Sequence, residues 1–171
     1  MNDGFSSILP SIFALGLVGI LALFLTFTRT WAEDGGKHMK SAIRLAVIAV
    51  ILQGAHFAEE LFTGFHQRLP SLFDLPPISY GLFVGFNIAW LGIWSLSVWG
   101  LSVRNQVAMF PLWFLSIGCI VNGIAHPVLA VLAGGYFPGL VTSPIAGIVG
   151  VMFFRRLHVV TRVDHFSLDT V

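Results

Sequence analysis

Cysteine occurs once in the 171 residues, at Cys119. That excludes an internal disulfide and any cysteine-built zinc site. Charge is scarce too. Lys, Arg, Asp and Glu make up 10% of the chain, against about 25% in an ordinary soluble domain. A soluble domain of this length could not build its surface from so few. The net charge is +1 and no basic run is long enough to track phosphates. A nucleic-acid partner is thereby excluded. What the chain has in abundance is apolar surface. Hydrophobic residues account for 56%, and the mean hydropathy is +0.87. Disorder is excluded by the same numbers. A small polytopic membrane protein remains, with the lipid bilayer as its first partner.

A helix needs about 20 mostly apolar residues to cross the hydrocarbon. Five stretches meet this: Ile8 to Thr28, Leu45 to Phe65, Ile78 to Val103, Val107 to Leu132 and Phe137 to Phe154. The fifth opens with Pro138 and Gly139 and contains Pro144, so it is the least regular. The joints carry breakers: Glu33-Asp34-Gly35-Gly36-Lys37, Leu69-Pro70 with Pro76-Pro77, Arg104-Asn105-Gln106, and Gly134-Gly135. The runs are too long, and alternate too little, for barrel strands. The expected fold is therefore all-α: one integral membrane domain over residues 1–171, a bundle of five transmembrane helices. Residues 155–171 are left as a polar tail. Met1-Asn2-Asp3-Gly4 lacks the basic residues of a signal peptide, so the first span reads as a retained helix.

Lysine and arginine set the expected orientation. Arg29, Lys37, Lys40, Arg44, Arg104, Arg155, Arg156 and Arg162 fall on one side of a five-span chain, and Arg68 alone on the other. The tail is then cytoplasmic and the N-terminus outside.

Glu59 and Glu60 are the only formal charges inside any expected span. A carboxylate at the centre of a bilayer helix costs on the order of 3 kcal/mol, and such residues mark function by default. At about 100° per residue, Gln53, His56, Glu59, Glu60 and Thr63 share an arc of about 120°. Glu60 nearly eclipses His56, which favours it for the central role. The opposite face, with Val47, Val50, Ile51, Phe57, Ala58, Leu61 and Phe65, is apolar. In the fourth span Asn122 and His126 are four apart and share a face, with Cys119 just before them. Pro127 frees the carbonyl of Gly123 and would widen a pocket beside His126. Asn87 in the third span and Thr142 in the fifth fall at matching depth, within about 6 Å. Four helices are thus expected to present polar groups to one volume in the outer half of the membrane.

These residues resemble the HXXEE-domain family of multi-spanning bacterial membrane proteins. Its motif stands here as His56-Phe57-Ala58-Glu59-Glu60. Asn122-Gly123-Ile124-Ala125-His126 is similar to the family's Asn-x-x-x-His. Tyr136-Phe137-Pro138-Gly139-Leu140-Val141-Thr142 is similar to its Tyr-x-Pro-Gly-x-x-Thr segment. The resemblance implies a family of unestablished, suspected enzymatic activity. It points to the same residues and supplies no reaction.

Two functional readings follow. The first is an intramembrane enzyme, hydrolytic or metal-dependent, acting on an apolar or amphipathic small molecule or lipid. His56, Glu60 and His126, with Glu59 in reserve, could hold one zinc or iron and leave a position for water. Without metal, a glutamate would activate water, while His126 and Asn122 or Asn87 stabilise an oxyanion. Two carboxylates this close do not both ionise easily in low dielectric, which yields one acid and one base. The second reading is a proton-coupled transporter, or a lipid- or small-molecule-binding protein. Five spans without an inverted repeat are few for alternating access, unless an oligomer supplies more. Structural roles are expected elsewhere. His38, His66 and Arg68 read as interfacial, and His158 and His165 as surface. Trp90, Trp94, Trp99 and Trp113 read as bundle core or belt, Gly81-x-x-x-Gly85 as a close helix contact, and Cys119 as buried and inert.

Overall fold

The computed structural model describes residues 6–33 and 36–163. The N-terminal Met1-Asn2-Asp3-Gly4, the Asp34-Gly35 turn, and His165 with the end of the tail lie outside the described residues. The elements run in order as α1 (Leu9–Thr28), β1 (Arg29–Trp31), α2 (Gly36–Thr63), α3 (Phe65–Ser71), α4 (Tyr80–Ser102), α5 (Met109–Leu132), α6 (Ser143–Val160) and β2 (Thr161–Val163). A single 3-10 turn, Gln106–Ala108, leads into α5. The Asn105 side chain caps that turn by accepting from the Val107 amide.

Five of these helices are long and apolar enough to cross a membrane. Large apolar side chains cover their outer faces; Phe13 is 82% exposed and Phe62 85%. Water does not tolerate such a surface over a whole bundle, whereas lipid does. The chain is an integral membrane protein.

The structure departs from expectation in three places. The second helix starts at Gly36 rather than near Leu45, so Lys40 and Arg44 ride on it. The fifth crosses at Ser143–Val160 rather than Phe137 to Phe154. Pro144 sits in its first turn, where a missing N–H costs nothing. Phe137 to Thr142 form a non-helical connector instead, with Gly139 at φ 87°. Arg155 and Arg156 therefore belong to a helix, not to a tail. Third, the bundle contains a short strand pair. β1 and β2 are antiparallel, with Thr30 opposite Arg162. Arg29 Nε donates to Thr161 Oγ1 at 2.8 Å, and its Nη2 donates to the carbonyls of His158 and Thr161. The first and last spans are fastened together there.

α5 is the hub. Leu112 to Ile117 are all buried, and the helix packs on α1, α2, α4 and α6. Its approach to α6 is very close. A Cβ on Gly123 would stand 2.7 Å from Gly147 Cα, and one on Gly150 2.8 Å from Cys119 Cβ. Small residues let the two backbones touch. Gly81 and Gly85 play no such part, since both face open space. His158 is not a surface residue; its ring packs against Trp113 and Phe154. Trp90 and Trp94 stack with Phe114 in the core between α4 and α5.

Candidate metal centre

Gly64, at φ 79°, ends α2 and turns the chain into α3. Gly134, at φ 69°, follows the end of α5. His56 and Glu60 on α2 and His126 on α5 thus lie near the same end of the bundle, within about 10 Å of where their helices stop. His56 is 0% exposed, His126 3% and Glu60 6%. Glu60 Oε1 stands 3.5 Å from His56 Nε2 and 3.4 Å from His126 Nε2. One ligating atom from each residue lies within 4.8 Å of the others. The two imidazole rings meet at 89° with centroids 4.6 Å apart. Phe65 and Phe137 pack around the His126 ring and close that side with apolar surface.

What faces the other nitrogens fixes the protons. His126 Nδ1 lies 2.6 Å from the Pro138 carbonyl, which can only accept, so Nδ1 carries the hydrogen. His56 Nδ1 lies 2.8 Å from Thr142 Oγ1. The Thr142 hydroxyl donates its one hydrogen to Glu59 Oε2 at 2.6 Å, so toward His56 it accepts. Both histidines therefore donate through Nδ1 and turn bare Nε2 lone pairs toward Glu60. His56 Nε2 is buried with no hydrogen-bond partner. An orphaned buried acceptor is costly unless a proton or cation fills the space.

Glu59 goes elsewhere. Its two oxygens accept from the Tyr136 hydroxyl at 2.8 Å, the Val141 amide at 3.0 Å, the Thr142 amide at 2.9 Å and the Thr142 hydroxyl. It thus fastens the 136–142 connector over the two histidines. The connector's backbone comes down on their rings. A Cβ on Gly139 would be 2.5 Å from His126 Cε1 and 2.7 Å from His56 Cε1. Outside the spans, partial burial and the Glu59 hydrogen bond both raise the pKa of the Tyr136 hydroxyl above its ordinary value.

The remaining expected residues are not drawn in. Asn87 donates back to the Phe83 carbonyl of its own helix. Asn122 is half-buried on α5, and no hydrogen bond links it to His56, Glu60 or His126. Gln53 is buried and accepts weakly from Cys119 at 3.7 Å. Thr63 donates to the Glu59 carbonyl along α2. His66 stacks on Phe83, and Arg68 lies over the Phe137 ring. Pro138 and Gly139 are the contributors that side-chain reasoning passes over, because one acts through its carbonyl and the other through having no Cβ. The proline-glycine pair at the start of an irregular span was the available signal.

No protein-family model, curated protein or solved structure matches this chain.

Proposed function

We propose that the chain is a membrane-embedded, metal-dependent hydrolase whose centre is His56 Nε2, His126 Nε2 and the Glu60 carboxylate, loaded with one zinc or iron ion. A single observation carries this reading: two bare Nε2 atoms and a carboxylate oxygen converge in a buried space, and His56 Nε2 has no hydrogen-bond partner there. Ligands about 2.1 Å from a tetrahedral ion stand about 3.4 Å from one another. The two Glu60 contacts have that length. An ion there would supply Lewis acidity and keep a ligand position for water.

The chain's own residues do the rest. Glu59 acts through Thr142 to hold the His56 ring and its tautomer, and the Pro138 carbonyl does the same for His126. Such partners orient metal ligands and raise their basicity. Phe65 and Phe137 keep bulk water off the His126 side. The substrate is an apolar or amphipathic molecule that reaches the site from the bilayer. The proposed kinship with HXXEE-domain proteins rests on the three segments that supply every one of these contacts except Phe65.

One observation favours a proton-coupled carrier as a second reading. Hydrogen bonds run without a gap from the exposed Tyr136 hydroxyl through Glu59 and Thr142 to His56. Metal analysis of the purified protein separates the two. Stoichiometric zinc or iron, lost in His126→Ala, supports the hydrolase. A protein that takes up neither metal, yet moves protons with a solute in liposomes, is a carrier. For orientation, the eight-to-one distribution of basic residues supports an outside N-terminus, and the resemblance to HXXEE-domain proteins supports a bacterial cytoplasmic membrane. A reporter fused at Val171 that is active only in the cytoplasm would agree.

A further inference from the structure

At the other end of the bundle, α2 and α6 enclose a groove of about 430 Å³. Arg44, Leu45 and Ile48 line it from α2, and Met152, Arg155 and Arg156 from α6. Three of the chain's nine lysines and arginines thus face one cavity. Among the described residues no carboxylate pairs with any of them. Glu33 pairs with Arg162 instead. Glu59 and Glu60 are at the far end. Arg156 touches His38 Nδ1 at 2.8 Å, while Arg44 and Arg155 make no hydrogen bond or ion pair among the described residues.

The groove is also graded. α2 runs away from this end and α6 runs toward it. Ile48 is about 6 Å deeper than Arg44, and Met152 is about 4.5 Å deeper than Arg155 and about 6 Å deeper than Arg156. The three arginines thus lie nearer the mouth than Ile48 and Met152, with Ser41 and Val159 at the rim.

We propose that this groove is a binding site for an anionic phospholipid. Its phosphate is held by Arg44, Arg155 and Arg156, and an acyl chain lies along Leu45, Ile48 and Met152. Guanidinium forks match phosphate oxygens in pairs. Basic pockets between spanning helices are where anionic headgroups are recognised. A free phosphate would use the arginines and leave the apolar floor bare. A lipid uses both, and lipid is the solvent that already bathes this surface. The site is independent of the histidine centre and stands or falls without it.

The test uses the full chain in nanodiscs of phosphatidylcholine, alone or with phosphatidylglycerol added. The expected result is a saturable rise in melting temperature with phosphatidylglycerol, and one such lipid retained per chain in native mass spectrometry. A ligand that binds only the folded form stabilises it by mass action. In Arg44→Gln/Arg155→Gln, retention should weaken by about tenfold or more, with the melting temperature in phosphatidylcholine unchanged. Arg44→Lys/Arg155→Lys keeps the charge and should recover part of the retention. Arg104→Gln removes a charge at the same end, outside the groove, and should behave as the parent. The proposal is overturned if Arg104→Gln weakens retention as much as the double variant. It is equally overturned if inorganic phosphate alone produces the full shift, or if the parent retains no phosphatidylglycerol. Should the double variant melt lower in phosphatidylcholine, the lysine pair alone decides: retention kept in full or in part supports the site's demand for charge, and complete loss overturns it.

Discussion

Thr142 Oγ1 stands between Glu59 and His56, donating to the carboxylate at 2.6 Å and accepting from the imidazole at 2.8 Å. A hydroxyl has one hydrogen, so the first bond dictates the direction of the second. Removing the hydroxyl while keeping the shape should therefore untie His56 without touching a ligand. Thr142→Val is expected to weaken zinc binding by about 10–100-fold, the usual effect of losing such a partner. Thr142→Ser should bind as the parent does. Equal affinities for the valine and serine variants would show that the hydroxyl is not used.

Glu60 Oε1 faces two bare nitrogens at 3.4 and 3.5 Å, so three acceptors point at one another until a proton or metal comes between them. Glu60→Gln puts an amide donor in that space. In metal-free detergent solution the variant is expected to melt no lower than the parent and to bind no metal. Metal must be absent because it would stabilise the parent alone. Breaking a structural buried ion pair would instead cost about 3–5 kcal/mol. A marked fall in melting temperature would make Glu60 a structural residue.

Gly139 separates strain from site geometry when set beside Gly134. Both have positive φ, 87° and 69°. A side chain at either position costs about 1–3 kcal/mol of backbone strain. Only at Gly139 would the new carbon also collide with both histidine rings; nothing lies within 4 Å at Gly134. Gly139→Ala is expected to lose metal binding and stability, and Gly134→Ala stability alone. Calorimetry and zinc titration of the pair would check this. Retained zinc affinity in Gly139→Ala would mean that the connector does not press on the rings.

The tether from Tyr136 to Glu59 has a pH signature. A phenol is charged only after losing its proton, and the folded chain holds that proton more tightly than the unfolded chain. The tether's contribution is then complete below about pH 10, the ordinary tyrosine value, and is lost as pH rises through the raised one. In a Tyr80→Phe background, ultraviolet titration should place Tyr136 above about 10. Glu59→Gln should bring it part of the way back, leaving the share due to burial. A midpoint that ignores Glu59 would mean the hydrogen bond is not kept in the membrane.

Much of the architecture could be read from hydropathy alone. The first, third and fourth spans end within two residues of where apolar composition places them. Hydropathy misplaced the fifth because Phe137, Pro138, Leu140 and Val141 are as apolar as any helix. Their job is to bring a carbonyl and a glycine onto two histidines, which composition does not record. Helical arithmetic correctly put His56, Glu59 and Glu60 on one side of α2. It also favoured Glu60, which nearly eclipses His56, for the central role, without supplying the partners of either glutamate. What divides them is what stands opposite: Thr142 and two backbone amides for Glu59, His126 for Glu60. Asn87 failed to join for a related reason. A shared depth does not supply a partner, and Asn87 found one within its own helix.

The strand pair also gives the bundle a temporal order. Arg29 leaves the first span with a guanidinium whose acceptors, Thr161 and the His158 carbonyl, are synthesised about 130 residues later. Every other span has been made before those acceptors exist. From the start of α5, Gln106 reaches the Arg29 carbonyl at 3.0 Å, but the guanidinium of Arg29 finds its acceptors only once the last span is made. The histidine centre needs neither event: α2, α5 and the 136–142 connector are all complete before α6 is. The order of synthesis alone therefore lets the histidine centre form before the strand pair fastens the first span to the last.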